Sequence, residues 1–212
     1  WPAIGLSTLW CLPMCALLGY LAADFMSGMA HWLADRYGSA ETPFVGAHFI
    51  EPFREHHIDP MGITRHGFVE VNGNNCICSL PFLVSGHLLW SGPLATPMAT
   101  LLFGSLLSFI VSIFMTNQFH RWAHMETAPR WVLWLQRHRL ILGRSHHGLH
   151  HSDPFDSHYC ITSGWLNRPL AAIGFWPAME ALILLRCGIR TAADVDSVDC
   201  TVTSATSLGI GK

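Results

Sequence analysis

"SIFMTNQFHRWAH", residues 112 to 124, is the point at which a long apolar run gives way to histidine. Residues three and four apart share a helix face, so a helix continuing out of the run stacks Asn117, His120 and His124 on one side. Between Val71 and His120 there is no Asp, Glu, Lys or Arg. That run is too long for one helix across a bilayer, which takes roughly 20 residues, and "SGP" at Ser91–Pro93 supplies a break. The pattern predicts a short or tilted span over Cys76–Trp90 and a full span over Leu94–Thr116, with histidines carried just past its end.

The N-terminus repeats the arrangement. Trp1 to Ala23 carries no formal charge and suits one span, which Pro2 and Pro13 start or kink. Asp24, His31 and Asp35 follow in helical phase, so two membrane helices bring polar groups to similar heights above the bilayer. Composition agrees: of 212 residues, 50% are hydrophobic and only 12% charged, where about 25% is usual for a soluble domain. The net charge is −2 and the basic residues are scattered, so no footprint for nucleic acid appears. The first residue is Trp1 rather than Met, which leads to the expectation that a further segment precedes it.

Charge placement orients the bundle. Arg36, Arg54 and Arg65 follow the first run, and Arg121, Arg130, Arg137, Arg139 and Arg144 follow the last, while the Ser91–Pro93 turn has no basic residue. The positive-inside rule puts both arginine-bearing regions in the cytosol. Except for His87, all fourteen histidines lie in those two regions. "WVLWLQRHR", Trp131–Arg139, suits a helix lying in the interface plane. Ile161–Leu185 is apolar, but Arg168, Glu180 and two prolines mark it as interfacial or re-entrant rather than spanning. The fold class expected is all-α: an integral membrane helical bundle with a cytosolic histidine-rich cap over residues 1–190. Residues 191–212, rich in Ser, Thr, Gly and Asp without a periodic apolar face, are expected to be a disordered tail.

Four clusters hold most of the histidines: His31 with Asp35; His56 and His57 with Asp59; His120 and His124; and His146, His147, His150 and His151 in "RSHHGLHHSD". Helical spacing lets His120 meet His124, and lets His147 meet His150 and His151. Lone histidines are ordinarily hydrogen-bonding residues, and His48, His87 and His138 read that way. Four clusters are not explained so. Imidazole is the commonest metal ligand in its neutral form, and sites rich in it suit Zn, Cu, Fe or Ni. Eight or nine imidazoles exceed the four of a tetrahedral zinc site but match two irons with four or five each and a position left for O2. Asp35, Asp59 and Asp153 sit beside ligand candidates and can accept their free N–H groups from a second layer, although a helix cap or turn explains each equally well. The seven cysteines form no paired framework, and Cys76 and Cys78 read as ordinary buried thiols.

"FREHHIDP", "ITRH", "NQFHRWAH", "HHGLHH" and "CITSGWLNRPL" resemble the plasmanylethanolamine desaturase family, also called Kua, from about Asp24 to Glu180. The resemblance implies an iron-dependent oxidoreductase of the endoplasmic-reticulum membrane that makes the vinyl ether of plasmalogens. Such an enzyme removes two hydrogens from the sn-1 alkyl ether chain of an ether phospholipid, plasmanylethanolamine, using O2 and electrons from cytochrome b5 and its reductase. It carries the metal-ligand role onto His31, His56, His57, His120, His124, His147, His150 and His151, with His66 and His146 as further candidates. The sequence departs from the wider membrane-desaturase pattern at Asp35, where that pattern has histidine, and before His56, where a leading histidine is missing. The ninth ligand is therefore left open between His66 and a water. The resemblance also suggests a further span upstream.

Three other readings compete. A hydroxylase or desaturase of a lipid acyl chain would use the same ligands. A metal transporter would place its ligands within the spans, where these do not fall. An adaptor would leave the histidines unexplained. Trp32, Trp122 and Trp165 are candidate walls for a lipid, or interface anchors, and Arg54, Arg65, Arg121 and Arg144 are candidate phosphate contacts, or topology markers.

Overall fold

The computed structural model describes residues 6–89 and 96–194, and these are all helical or irregular, with no strand among them. A 3₁₀ turn, Leu6–Cys11, leads into α1, Leu12–Arg36. A π-helical turn at Gly46–Ile50 precedes α2, Glu51–Ile58, and α3, Gly62–Arg65. The long helices α4, Phe68–Leu89, and α5, Pro97–His124, follow. Short helices complete the chain: α6, Arg130–Arg137; α7, Arg144–His147; α8, Asn167–Ala172; and α9, Phe175–Cys187.

Two of these helices, Thr8–Arg36 with its leading turn and Pro97–His124, are long and apolar enough to cross a membrane. The full span expected over Leu94–Thr116 therefore continues unbroken to His124, and the expected N-terminal one continues to Arg36, so the ligand candidates ride on the same helices as the apolar runs. α4 covers the segment expected as a tilted span as far as Leu89, but it also carries Asn72, Asn74 and Asn75 and falls outside that pair. The Ser91–Pro93 break and the tail from residue 195 onward lie outside the described residues.

α1 and α5 run side by side in the same direction: the Cys15 thiol donates to the Thr100 carbonyl, Ser108 to that of Ala16, and Ala23 packs with Phe109 and Ile110. The approach is close because a Cβ on Gly19 would lie 2.3 Å from the Ser105 carbonyl oxygen. α4 packs antiparallel on α5, with Phe82 against Phe109, Asn75 donating to the Ile113 carbonyl and Asn117 to that of Val71. Those side chains satisfy the backbone-like polar needs of an otherwise apolar contact.

Past the histidine end of these helices, the stretch read as one apolar interfacial segment is broken. Ile161–Gly164 is irregular and buried, α8 and α9 follow separately, and Glu180 of α9 accepts from Arg36 and Trp32 of α1. The expected interfacial helix forms as α6, with Val132 buried and Trp131, Leu133 and Trp134 exposed. Cys76 and Cys78, expected to be buried, are exposed. They lie on α4 faces that no other helix covers, and Cys78 borders a cavity.

Candidate metal centre

The histidines converge at the end of α1 and α5. Five of them, His56, His120, His124, His147 and His151, offer ligand atoms all within 4.8 Å of one another, and so do His31, Asp35, His57 and His150 in a second group. The groups adjoin, with the rings of His57 and His151 centred 5.1 Å apart and those of His31 and His120 6.1 Å apart.

Local geometry explains the sorting. His120 and His124 stand one helical turn apart on α5, as do His31 and Asp35 on α1, so each pair faces one point. The adjacent pairs instead divide between the groups: His56 turns to the first and His57 to the second, since neighbouring helical residues point about 100° apart. His147, His150 and His151 were expected to converge on one point, but α7 ends at His147 and residues 148–151 form turns, which sends His150 to Asp35 instead.

Contacts in the five-histidine group argue for a cation. Nε2 of His56 lies 2.9 Å from that of His124, which lies 3.1 Å from that of His120; His120 is 2.8 Å from His147, and His147 is 3.0 Å from His151. An imidazole nitrogen carries either one proton or one lone pair. Five nitrogens in such a row can form at most two proper hydrogen bonds, leaving the remaining close contacts unpaired, whereas a central cation accepts all five lone pairs. In the second group, the Asp35 carboxylate lies 3.4 Å from His31 Nε2, 3.2 Å from His57 Nε2 and 3.4 Å from His150 Nε2. None of these has hydrogen-bond geometry, so both Asp35 oxygens and His31 Nε2 are buried without a hydrogen-bond partner. Buried polar atoms are seldom left so, and a cation bound among them resolves the deficit. The residues present thus fit metal ions in both groups.

Burial holds the imidazoles in the ligand-competent neutral form. It pushes His56 down to about 2 and His151 to about 3, and His147 falls well below the ordinary value, with neighbouring histidines adding to burial in each case.

The layer behind the ligands comes from a segment whose "CITSGWLNRPL" string carried the family resemblance but to which the sequence reading gave no role at the metal groups. His31 Nδ1 meets the Tyr159 carbonyl at 3.1 Å, and His150 Nδ1 meets that of Ser157 at 2.7 Å, which leaves each Nε2 free to face a metal. The segment is pinned to α1. Asp24 accepts from the backbone N–H groups of Ser163, Gly164 and Leu166, and Ser27 from Ile161 N–H. Gly28 lets it lie close, since a Cβ there would sit 2.6 Å from the Cys160 sulfur. A carboxylate inside an apolar helix was the available signal for this role.

Other candidates lie elsewhere. Asp35, expected behind the ligands, sits among them. His66 pairs with Glu70 at 2.8 Å, Asp59 pairs with Arg65, and His146 Nε2 meets the Asn167 amide at 3.0 Å, so none joins either group. Asp153 is exposed in the turn before Pro154.

A cavity of about 890 Å³ reaches the five-histidine group, where His56 and His120 line it. Its other end is floored by Phe82 of α4 and Phe109 of α5, whose rings are 5.0 Å apart. Eleven residues of α5 separate Phe109 from His120, about 16 Å at the ~1.5 Å rise of a helix. Met26, Ile113 and Ile161 line the length between, and Asp59, Arg65, His66 and Glu70 line the histidine end. Trp32, Trp122 and Trp165, expected as lipid walls, do not border it. Trp32 is buried against Trp176, Trp122 meets Trp131 edge to face, and Trp165 donates to the Arg139 carbonyl. Of the four arginines considered for phosphate, only Arg65 borders it. Arg54 and Arg121 are spent on the Gly38 and Thr64 carbonyls.

Comparison with known proteins agrees with this architecture. Residues 20–194 match the lipid desaturase domain. The chain is 46% identical over 185 residues to a plasmanylethanolamine desaturase of Myxococcus xanthus, covering 87% of this chain and 65% of that protein. It is 45% identical over 179 residues to plasmanylethanolamine desaturase 1 of Mus musculus, covering 83% of this chain and 66% of that one. It is 36% identical over 188 residues to the chloroplastic fatty acid desaturase 4-like 1 of Arabidopsis thaliana, covering 87% and 61%. The chain therefore spans just under two thirds of the length of each of these relatives. No solved structure matches it.

Proposed function

Because the chain belongs to the lipid desaturase domain family, we propose that it desaturates the sn-1 alkyl ether chain of an ether phospholipid, plasmanylethanolamine, to the vinyl ether of a plasmalogen. The ligand roles fall to His56, His120, His124, His147 and His151 for one iron, and to His31, Asp35, His57 and His150 for the other. O2 is the co-substrate, and cytochrome b5 with its reductase is the electron donor. The setting is a multi-pass helical bundle in the endoplasmic-reticulum membrane, its histidine cap facing the cytosol.

The observation that carries this reading is the cavity. Its depth of about 16 Å approaches half of a bilayer's roughly 30 Å hydrocarbon core, the share of one leaflet. Charged residues and two ligand histidines sit together at its histidine end, and the apolar floor lies far from them. A lipid chain threaded toward Phe82 and Phe109 would present its first carbons, next to the glycerol, to His56 and His120. That is where an ether desaturase acts.

Bound iron would supply the oxidising chemistry that breaks an unactivated C–H bond with O2. The chain's own residues position and enclose. Met26, Ile113 and Phe109 exclude water and fix how deep the chain sits, so depth sets which carbons react. The carbonyls of Tyr159 and Ser157 keep the rings of His31 and His150 aimed inward. In the overall change, carbons 1 and 2 each lose one hydrogen, the donor supplies two electrons and solvent two protons, and O2 leaves as two waters.

Expression of the chain in cells that make alkyl ether phospholipids but no plasmalogens tests the reading. Acid-labile vinyl ether lipids should appear by mass spectrometry and vanish with His151→Ala. Iron binding with a new double bond in an acyl chain instead would move the substrate to an acyl lipid.

A further inference from the structure

The rim of the cavity carries charge that the metal groups do not use. Arg65, after α2 and at the end of α3, pairs with Asp59, and His66 Nδ1 meets Glu70 in the first turn of α4 at 2.8 Å. All four side chains border the cavity yet stay more than half exposed, Asp59 and His66 at 52% and Arg65 and Glu70 at 64%. Exposed ion pairs contribute little to folding, so these can exchange partners readily. Glu55 borders the same end. One guanidinium, Arg65, stands among three carboxylates, Asp59, Glu70 and Glu55, at the mouth of a largely apolar slot.

Resting on the proposed lipid substrate, we propose that this rim reads the headgroup. Arg65 takes the phosphodiester, and Asp59 and Glu70 take an ammonium, so the site selects an ethanolamine-type headgroup over an anionic one. The chemistry of each contact is ordinary. A guanidinium suits phosphate through paired N–H donors, and a carboxylate accepts N–H from a primary ammonium. A zwitterion replaces the Arg65–Asp59 pair, moving Arg65 to the phosphate while its ammonium meets the freed Asp59 carboxylate beside Glu70. An anionic glycerol headgroup offers the carboxylates only neutral hydroxyl donors, weaker than an ammonium, and its uncompensated charge meets their repulsion. The reacting position fits as well, because His56 lies only three residues before Asp59, so a headgroup on the rim holds the adjacent carbons near the five-histidine group.

The full chain in lipid nanodiscs, given equal amounts of two 1-alkyl lipids with the same chains, separates the possibilities. One probe bears phosphoethanolamine and the other phosphoglycerol. Two quantities are read by mass spectrometry: the ratio of the two lipids retained by the repurified protein, and the ratio of vinyl ethers formed. The wild-type chain should favour the ethanolamine lipid roughly three- to tenfold in retention, the range expected of two exposed charge contacts. The double variant Asp59→Lys/Glu70→Lys should erase or reverse that ratio. Arg65→Ala should weaken retention of both lipids alike, since both carry phosphate. Exposure of all three positions makes folding of these variants straightforward.

An unchanged retention ratio in the double variant would overturn the headgroup assignment, whether or not vinyl ethers form. A ratio that moves as expected while no chain yields a vinyl ether would keep the headgroup site and remove the ether desaturase reading. Equal retention of the two lipids by the wild-type chain would also overturn the assignment.

Discussion

The two ligand groups are built from the same helices but held in different ways. In the three-histidine and aspartate group, two rings are fixed from behind by backbone carbonyls of the Ser157–Tyr159 stretch, and no member borders the cavity. In the five-histidine group, two members border the cavity, and the Nδ1 atoms of His147 and His151 are buried with no hydrogen-bond partner. One group has two of its four members held from behind by the backbone, although His57 Nδ1 is also buried without a partner. The other shows no such support at His147 and His151 and adjoins the cavity. Preorganised ligands hold a metal more tightly, and partners behind a ligand typically alter affinity about 10- to 100-fold.

The largest effect expected is from His120→Ala, which removes a ligand that both belongs to the five-histidine group and borders the cavity. Activity should fall more than about 100-fold. Iron measured by elemental mass spectrometry should drop by about one ion per chain, because the other group keeps its own support. Loss of both ions together would break the contrast and make the centre one cooperative unit.

Asp35→Asn asks the reverse question. The amide keeps the shape but gives up the only anionic ligand candidate, set 3.2 to 3.4 Å from three imidazoles. Iron affinity of that group should fall roughly 10- to 100-fold, read by chelator competition, with the five-histidine group still loaded. An unchanged affinity would return Asp35 to a supporting position behind the ligands.

Acid should act on the five-histidine group through folding as well as binding. The folded chain holds His56 near 2 and His151 near 3, both far below the ordinary 6.5, chiefly because they are buried. As pH falls through 6.5 the unfolded chain takes up these protons first, so native stability is full above that value and declines as pH drops toward the folded values. Iron, which needs the same nitrogens unprotonated, is released over the same window. Melting temperature of the metal-free protein should therefore fall between pH 7 and pH 5. A flat profile there would mean the rings open to water without the ion.

Much of this was legible in the sequence, for reasons that differ by element. His120–His124 and His31–Asp35 were readable because α1 and α5 are long regular helices, in which spacing alone fixes which side chains meet. The pairs at His56–His57 and His150–His151 were visible as metal ligands but not as a division between two groups. For His56–His57 the division follows from the step between neighbours on α2 and needed the fold to show that both faces meet ligands, while for His150–His151 it depends on where α7 stops and on a turn that periodicity does not encode. Of the Ser157–Leu166 segment, only Ile161–Leu166 was given a structural reading, as the start of the apolar interfacial stretch Ile161–Leu185, because its hydrophobicity was counted. Its actual role rests on backbone carbonyls and N–H groups, which every residue carries and no composition reveals. Its one visible mark is Asp24, a carboxylate placed where an apolar helix would ordinarily exclude it. The cavity rim likewise needed the fold, since Asp59, Arg65 and Glu70 come together only when α2, α3 and α4 turn back on the end of α5.

The smallest effect expected is the sharpest check on where the centre ends. His146 adjoins His147 in the densest histidine cluster, and by sequence it is as good a candidate as its neighbours. Its Nε2 instead meets the side-chain amide of Asn167, which is itself held by the backbone of Cys160 through both its amide oxygen and nitrogen. His146→Ala should therefore leave the iron content and the iron's optical spectrum unchanged. It removes one hydrogen bond worth about 0.5–1.5 kcal/mol, which lowers the melting temperature by roughly 1–6 °C for a chain of this size. Loss of an iron with no change in melting temperature would reverse that assignment, making His146 a ligand and the contact with Asn167 incidental. A lowered melting temperature with the iron retained would place the residue in the supporting layer that holds the 157–166 segment against α1, whereas loss of neither would mean that the contact with Asn167 supports nothing.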